Sequence, residues 1–275
     1  MAELADASDL GSDGEPCRFK SCYPHQCPDC RSSRDFIFGG NMEVLNNSRT
    51  YEKIYILFFV MAELAVFPTV FMRSESIHTV FYYAAIVLSF VTSLVLLRAR
   101  SEAVCTSLAL LFTVVADFFL ILLGTGKLIA MCAFTLTQIF YCLRTLSMAT
   151  SRRERLWNLA VRLTLSVMAA SAVFIVLKDG AEALFVVSLV YYANLLTNIL
   201  FAFIHSKKHP LFAVGLLLFA MCDALIGLSF VEDIFALPEG NFIDVLWSLP
   251  VHLESMFYQP SQVLLALSAL TAREK

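Results

Sequence analysis

Apolar residues in this chain come in blocks of about 20, separated by short runs that hold nearly all of the charge. A block of that length crosses the hydrocarbon core of a bilayer as a helix, at about 1.5 Å per residue. Eight such segments can be drawn, at 52–72, 77–97, 103–123, 126–146, 157–177, 182–204, 210–230 and 252–270. The pattern predicts an all-α polytopic membrane bundle of about eight transmembrane helices. The eighth segment is expected to be interrupted, because Pro260 sits inside it and Pro250 on its approach. A proline there removes one helical hydrogen bond and frees the carbonyl of Met256. Irregular backbone at membrane depth is tolerated beside a polar cavity, which puts Tyr258 and Gln262 on a cavity wall.

Composition agrees with the pattern. The 275 residues are 59% hydrophobic and only 16% charged, with a mean hydropathy of +0.73. A soluble domain carries about 25% charged residues. Too few are present here to coat a water-facing surface, so a cytosolic enzyme, a disordered protein and a nucleic-acid binder are excluded. The formal charge of −3 arises wholly in residues 1–41, with 7 acidic and 4 basic side chains. Basic residues alternate between connections. Arg49, Lys53, Arg98, Arg100, Arg144, Arg152, Arg153, Arg155, Lys207, Lys208, Arg273 and Lys275 fall on one side; Arg73, Lys127 and Lys178 fall on the other. Cytoplasmic loops carry the excess of Lys and Arg, which predicts a multi-pass protein of the cell membrane with both termini cytoplasmic. The acidic 231–251 connection then faces outward.

Residues 1–41 read as a disordered leader ahead of a transmembrane domain at 42–275. Cys17, Cys22, Cys27 and Cys30 surround His25 there, but the spacing matches no common zinc finger, and no metal is expected. Gly39-Gly40-Asn41-Met42 supports another reading, in which translation starts at Met42 and the leader is an over-extended frame. Asn46-Asn47-Ser48 has the form of a glycosylation sequon but lies on the predicted cytoplasmic side. Cys105, Cys132, Cys142 and Cys222 sit in spans, where small, weakly polar packing is the default role.

Ionisable groups in a hydrocarbon core are costly and therefore mark function. Glu63, Asp117 and Asp223 lie mid-span, and Arg162 is expected to snorkel to the cytoplasmic interface beside Trp157. Gln138, Asn194, Asn198 and Gln262, with Tyr141, Tyr191, Tyr192 and Tyr258, complete the polar set, and interhelical hydrogen bonding is their ordinary role. The two aspartates stand out because both lie about 10 Å below the outer surface of helices running in the same direction. Leu110-Leu111-Phe112 precedes Ala116-Asp117, and Leu217-Leu218-Phe219 precedes Cys222-Asp223, a faint four-plus-four parallel repeat. Two carboxyls crowded in a low-dielectric site cannot both be ionised cheaply, so one is a proton donor beside a carboxylate. Such a pair suits acid-catalysed cleavage of an acetal-like bond, and equally proton-coupled transport.

These residues resemble the YhhN-like membrane proteins, whose animal members are lysoplasmalogenases. The likeness covers roughly 52–270. It rests on Ala109-Leu-Leu-Phe112 through Ala116-Asp117-Phe-Phe-Leu120, on Gln138-Ile-Phe-Tyr141, on Cys222-Asp223-Ala-Leu-Ile-Gly227, and on Tyr258 with Gln262. There are departures: the family's Gly-Asp pair is Ala116-Asp117, its Ser-Asp pair is Cys222-Asp223, and a following Ala is Gly227. The His of its His-x-x-Tyr motif is Gln138, and the Lys-Pro pair many members carry in the early spans is absent.

The resemblance implies hydrolysis of the vinyl ether bond of a lysoplasmalogen without a cofactor, with Asp117 and Asp223 catalytic. Gln138, Tyr141, Tyr258 and Gln262 would orient water and the glycerol oxygens, and Asn194 is a further substrate-binding candidate. The partners implied are a lysolipid or other small amphiphile and the membrane lipids. Two rival readings remain: a proton-coupled transporter of a small amphiphile, and a non-catalytic lipid-binding protein. Walker loops, dinucleotide-binding glycine motifs, nucleophile elbows and zincin motifs are all missing.

Overall fold

The computed structural model describes residues 50–71, 75–97, 101–178, 182–234, 238, 241–249 and 251–271, within which Glu52–Lys275 makes one compact unit. The leader, its cysteines and Met42 lie outside the described residues. All of the regular structure described is helical. The elements are α1 (50–66, drawn out by a 3-10 turn at Phe67–Phe71), α2 (Glu75–Val95), α3 (Ser101–Asp117), α4 (Lys127–Met148), α5 (Arg152–Leu177), α6 (Ala183–Ile204), α7 (Pro210–Ile234), α8 (Phe242–Trp247) and α9 (Leu253–Thr271). These helices fall on the eight segments drawn from the sequence, with α8 added in the connection before the last.

Seven of them, α1 to α7, are long and apolar enough to cross a membrane. Lipid offers backbone N–H and C=O groups no partners, so each crossing segment must satisfy them internally as a helix. Large side chains such as Ile175, 73% exposed, and Leu163, 67%, cover the outer faces as a lipid-facing surface requires. The eighth drawn segment, α9, is of spanning length but too polar to join the seven. Its first half holds Glu254, Ser255, Tyr258, Gln259, Ser261 and Gln262. Packing explains this: α9 lies against α2, α3 and α7, and none of residues 253–270 is exposed. The expected interruption does not occur, since α9 is a single α-helix running through Pro260.

Neighbouring elements pack as α2 on α3, α3 on α4, α6 on α7 and α7 on α9, while α4 also packs on α6 and α5 packs on α6. The core is built from Phe59, Ile86, Leu110, Leu195, Phe212, Leu216, Phe219 and Leu265, all essentially inaccessible. Gly215 is what lets α7 approach α9: a Cβ placed there would meet Leu265 Cγ at 2.9 Å.

Helix ends carry their own chemistry. Pro210 opens α7, where a missing N–H costs nothing. Ser151 caps α5 by accepting the Glu154 N–H at 3.1 Å, and the Glu154 carboxylate in turn lies 2.6 Å from His205 Nε2, joining the start of α5 to the end of α6. Asn241 and Asp244 form a reciprocal capping box on α8. Between α3 and α4 the chain turns through Gly124 and Gly126, at φ +61° and +73°, a region open to glycine at no steric cost.

Two arginines depart from the sequence reading. Arg144 is not a loop cation but is completely buried. Its Nη1 donates to Thr106 Oγ1 at 2.5 Å and Ser268 Oγ at 2.6 Å, its Nη2 to the Ser268 carbonyl at 2.9 Å, and its guanidinium lies over the Phe212 ring. Arg162 does not snorkel; it turns inward to Asn194 Oδ1 at 2.8 Å, Asn198 Oδ1 at 2.7 Å and Asn158 Oδ1 at 3.3 Å. Amide oxygens inside the bundle give a guanidinium the acceptors that the interface would otherwise supply.

The close approach of α7 and α9 yields a test. Gly215→Ala should destabilise by about 1–3 kcal/mol through overpacking, and Gly215→Val by more. Thermal unfolding in detergent would register this as a stepwise fall in midpoint, and unchanged midpoints would contradict the packing described.

Candidate functional site

Asp117 is the final α-helical residue of α3. The chain then widens into a π turn over Phe118–Leu122, in which the Leu123 N–H reaches the Phe118 carbonyl at 3.0 Å. Such turns are rare and concentrate at functional sites. Asp223 lies in the second half of α7, so the two carboxyls come from helices of the same sense, at the end of the bundle where α2, α4 and α9 begin.

They meet in the wall of one cavity of about 330 Å³. α2 contributes His78, Thr79 and Tyr82; α3 and its π turn give Asp117, Leu120 and Ile121; α4 gives Phe134. From α7 come Cys222, Asp223 and Ile226, and from α9 and its approach His252, Glu254, Ser255 and Tyr258. The floor is deeply buried: Asp117 and Tyr258 are each 3% exposed. Aromatic rings enclose it, with Tyr258 at 5.4 Å from Phe219 and 5.7 Å from Tyr82, and Phe134 at 5.8 Å from Tyr191.

Each aspartate has its own tyrosine. Tyr258 Oη donates to Asp117 Oδ2 at 2.5 Å, and Tyr191 Oη donates to Asp223 Oδ2. A bond of this kind holds one oxygen of the carboxyl in place and so fixes the group's orientation. The surroundings of the two are not equivalent, since Asp117 takes its tyrosine from α9 and Asp223 from α6. Beside them, the imidazoles of His78 and His252 stack face to face at 3.9 Å with planes 7° apart, and His252 Nδ1 lies 3.7 Å from Glu254 Oε1.

Of the residues singled out from the sequence, Asp117, Asp223 and Tyr258 line this cavity. Gln138, Tyr141, Gln262 and Asn194 do not. Gln138 is fully buried between helices, where its Oε1 and carbonyl accept from Asn198 Nδ2 at 2.9 and 3.0 Å. Tyr141 packs edge-on against Phe212, and Gln262 donates to its neighbour Ser261 at 3.3 Å. Asn194 belongs to the Arg162 cluster, and its Nδ2 donates to the Val190 carbonyl at 2.8 Å. Glu63 is buried too, held by Ser89 Oγ at 3.3 Å and Gln259 Nε2 at 2.9 Å, and it does not line the cavity. Gln138 and Asn194 tie helices together, which is what polar groups inside a membrane bundle do by default, whereas Tyr141 and Gln262 make no hydrogen bond between helices among those described.

The sequence placed Tyr191 only among the polar residues of the spans, without its bond to Asp223, and it gave no role to the cavity residues His78, His252 and Glu254, which stand at span ends. Two histidines at the same end of two spans were the available signal. Among the described residues no group of three or more His, Cys, Asp or Glu is arranged to hold a metal, and the four cysteines are free.

Comparison with known proteins gives one match. The model of the YhhN family fits residues 77–243, a stretch that holds both aspartates, Tyr191 and His78 and stops short of α9. No curated protein and no solved structure matches. An all-helical bundle whose spans, paired aspartates and matched stretch all agree is a membrane protein, and the chain belongs to the YhhN family.

Proposed function

We propose that the protein hydrolyses the vinyl ether bond of a lysoplasmalogen-type lysolipid, using Asp117 and Asp223 as an acid–base pair. The single observation that carries the reading is that both carboxyls line one cavity, each oriented by a tyrosine hydroxyl. A vinyl ether is cleaved by proton addition to its outer vinyl carbon, which leaves an oxocarbenium ion on the carbon bonded to oxygen. One aspartic acid delivers that proton. The other, as carboxylate, stabilises the cation and takes a proton from the attacking water. The hemiacetal then collapses to a fatty aldehyde and a glycerophospho-alcohol, and the proton count returns to its starting value. No cofactor enters the scheme.

The departure at Gln138 loses its weight in this reading. A glutamine cannot exchange protons as a histidine does, but Gln138 is bonded to Asn198 away from the cavity, so the aspartate chemistry does not pass through it. The basic residues that alternate between connections support a cavity opening to the outer face of the cell membrane, with both termini cytoplasmic.

Incubation of purified protein with a lysoplasmalogen, with free aldehyde scored by mass spectrometry, tests the proposal. Asp117→Asn and Asp223→Asn should each lower turnover by about 10²-fold or more, the scale of general-acid effects. Full turnover in both, or no aldehyde from folded wild-type protein that binds the lipid, would overturn it and favour a carrier or a lipid-binding protein.

The tyrosines should show a smaller effect. Tyr258→Phe and Tyr191→Phe remove a hydrogen bond to a charged group and should cost about 10-fold in kcat with the lipid still bound. By contrast, Gln138→Leu should lower the unfolding midpoint, by about 1–2 kcal/mol for the unpaired Asn198 amide, while kcat stays near wild type.

A further inference from the structure

Two short basic runs at the end of the bundle away from the cavity are joined by one contact. Arg152, Arg153 and Arg155 stand in the first turn of α5, and Lys207 and Lys208 stand in the turn between α6 and α7. All five side chains belong to exposed residues. The Glu154 carboxylate reaches from the first run to the second, with Oε1 2.6 Å from His205 Nε2, so residues 51 apart in sequence share one patch. The lysine turn is itself held in shape: the Ser206 N–H donates to the Phe203 carbonyl at 3.1 Å, and the Lys208 N–H to the His205 carbonyl at 3.0 Å.

Glu154 is the one acid within either run, and both of its oxygens are engaged. Oε1 takes the His205 contact, while Oε2 accepts from the Thr150 N–H at 2.9 Å and the Thr150 hydroxyl at 3.2 Å. Its charge is committed to the helix start and to the histidine, not to the arginines. Among the described residues, none of the five cations is paired with a carboxylate. Leu156 and Trp157 follow directly on the chain and are 57% and 58% exposed. An exposed tryptophan next to basic residues marks the level at which hydrocarbon gives way to head groups, which is where lipid phosphates lie. A general excess of Lys and Arg on one side accounts for cations at that level, but not for a contact that gathers five of them around one turn.

We propose that this patch docks a phospholipid whose head carries several phosphates, of the phosphorylated-inositol kind, and that the lipid staples α5 to the turn between α6 and α7. Separate phosphates match separate runs. The guanidinium forks at the start of α5 take one in bidentate fashion, and the lysine ammonium groups take another as point charges. A head with a single phosphate neutralises one run and leaves the other charged. The use of such a staple is visible in the fold, since α5 packs on α6 and little of it is buried. The patch lies at the opposite end of the bundle from the aspartates and is independent of the chemistry proposed there.

Native mass spectrometry of the full chain released from nanodiscs tests this, with phosphatidylinositol bisphosphate and phosphatidylserine present at matched total charge in a neutral lipid. Wild type should retain the polyphosphate lipid over the serine lipid by about tenfold or more. Lys207→Gln with Lys208→Gln, or Arg152→Gln with Arg153→Gln, should each erase most of that enrichment, at roughly fivefold per cation removed. His205→Ala keeps all five cations but breaks the contact between the runs, and it too should lower the enrichment severalfold. Lys127→Gln, a cation removed at the other end of the bundle, should leave it unchanged. Equal retention of the two lipids by wild type would overturn the proposal, as would an enrichment that neither basic pair nor His205→Ala reduces. Displacement of the lipid by an equal concentration of soluble inositol trisphosphate would also overturn it, by giving the patch to a free phosphate ligand.

Discussion

The hydrogen bond from a tyrosine hydroxyl to a buried aspartate is the interaction on which the rest of this architecture depends. A carboxyl set among helices loses much of its hydration, and an unsatisfied one costs several kcal/mol. Each aspartate is therefore tied to a helix other than its own, Asp117 to α9 and Asp223 to α6. The bonds do two things at once. They make the carboxyls tolerable at that depth, and they orient two groups that line the same cavity. The same economy governs the rest of the buried polar set: Glu63 with Ser89 and Gln259, Arg144 with Thr106 and Ser268, Arg162 with three asparagines.

Much of this was legible in the sequence because lipid enforces simple rules. Apolar blocks of spanning length marked every long helix to within a few residues, and equal depth on helices of the same sense singled out Asp117 and Asp223 without deciding whether they meet. What escaped was whatever depends on side-chain direction around a helix. Gln138 and Asp117 are both polar residues in mid-span, yet one turns to Asn198 and the other to a cavity, and periodicity in a helix that is apolar on nearly all sides does not separate them. Arg162 looked able to reach the interface by length alone; only the three facing asparagines decide otherwise. α8 was missed although its Asn241-x-x-Asp244 pattern resembles a capping box, because the connection around it had been read only for charge.

The site itself combines two kinds of group with different demands. The floor is closely packed, with Asp117 and Tyr258 each 3% exposed. The mouth is charged and more accessible. Placing them a helical turn apart on α9 lets one element serve both, with Tyr258 at the buried end and Glu254 at the more exposed one. The π turn after Asp117 belongs to the same arrangement, since it shifts the register of α3 where the carboxyl enters the wall.

The enclosure of α9 also bears on how the protein comes to be. A segment holding Glu254, Gln259, Gln262 and a proline gains little from entering lipid as an isolated helix, and its partners α2, α3 and α7 precede it in the chain. Membrane entry of α9 is thus better viewed as docking into a slot prepared by earlier helices than as independent partitioning. On that view the cavity does not exist until the bundle is otherwise assembled. A partly inserted chain would carry both aspartates but neither Tyr258 nor the wall that α9 supplies, so the chamber is the last part of the molecule to close.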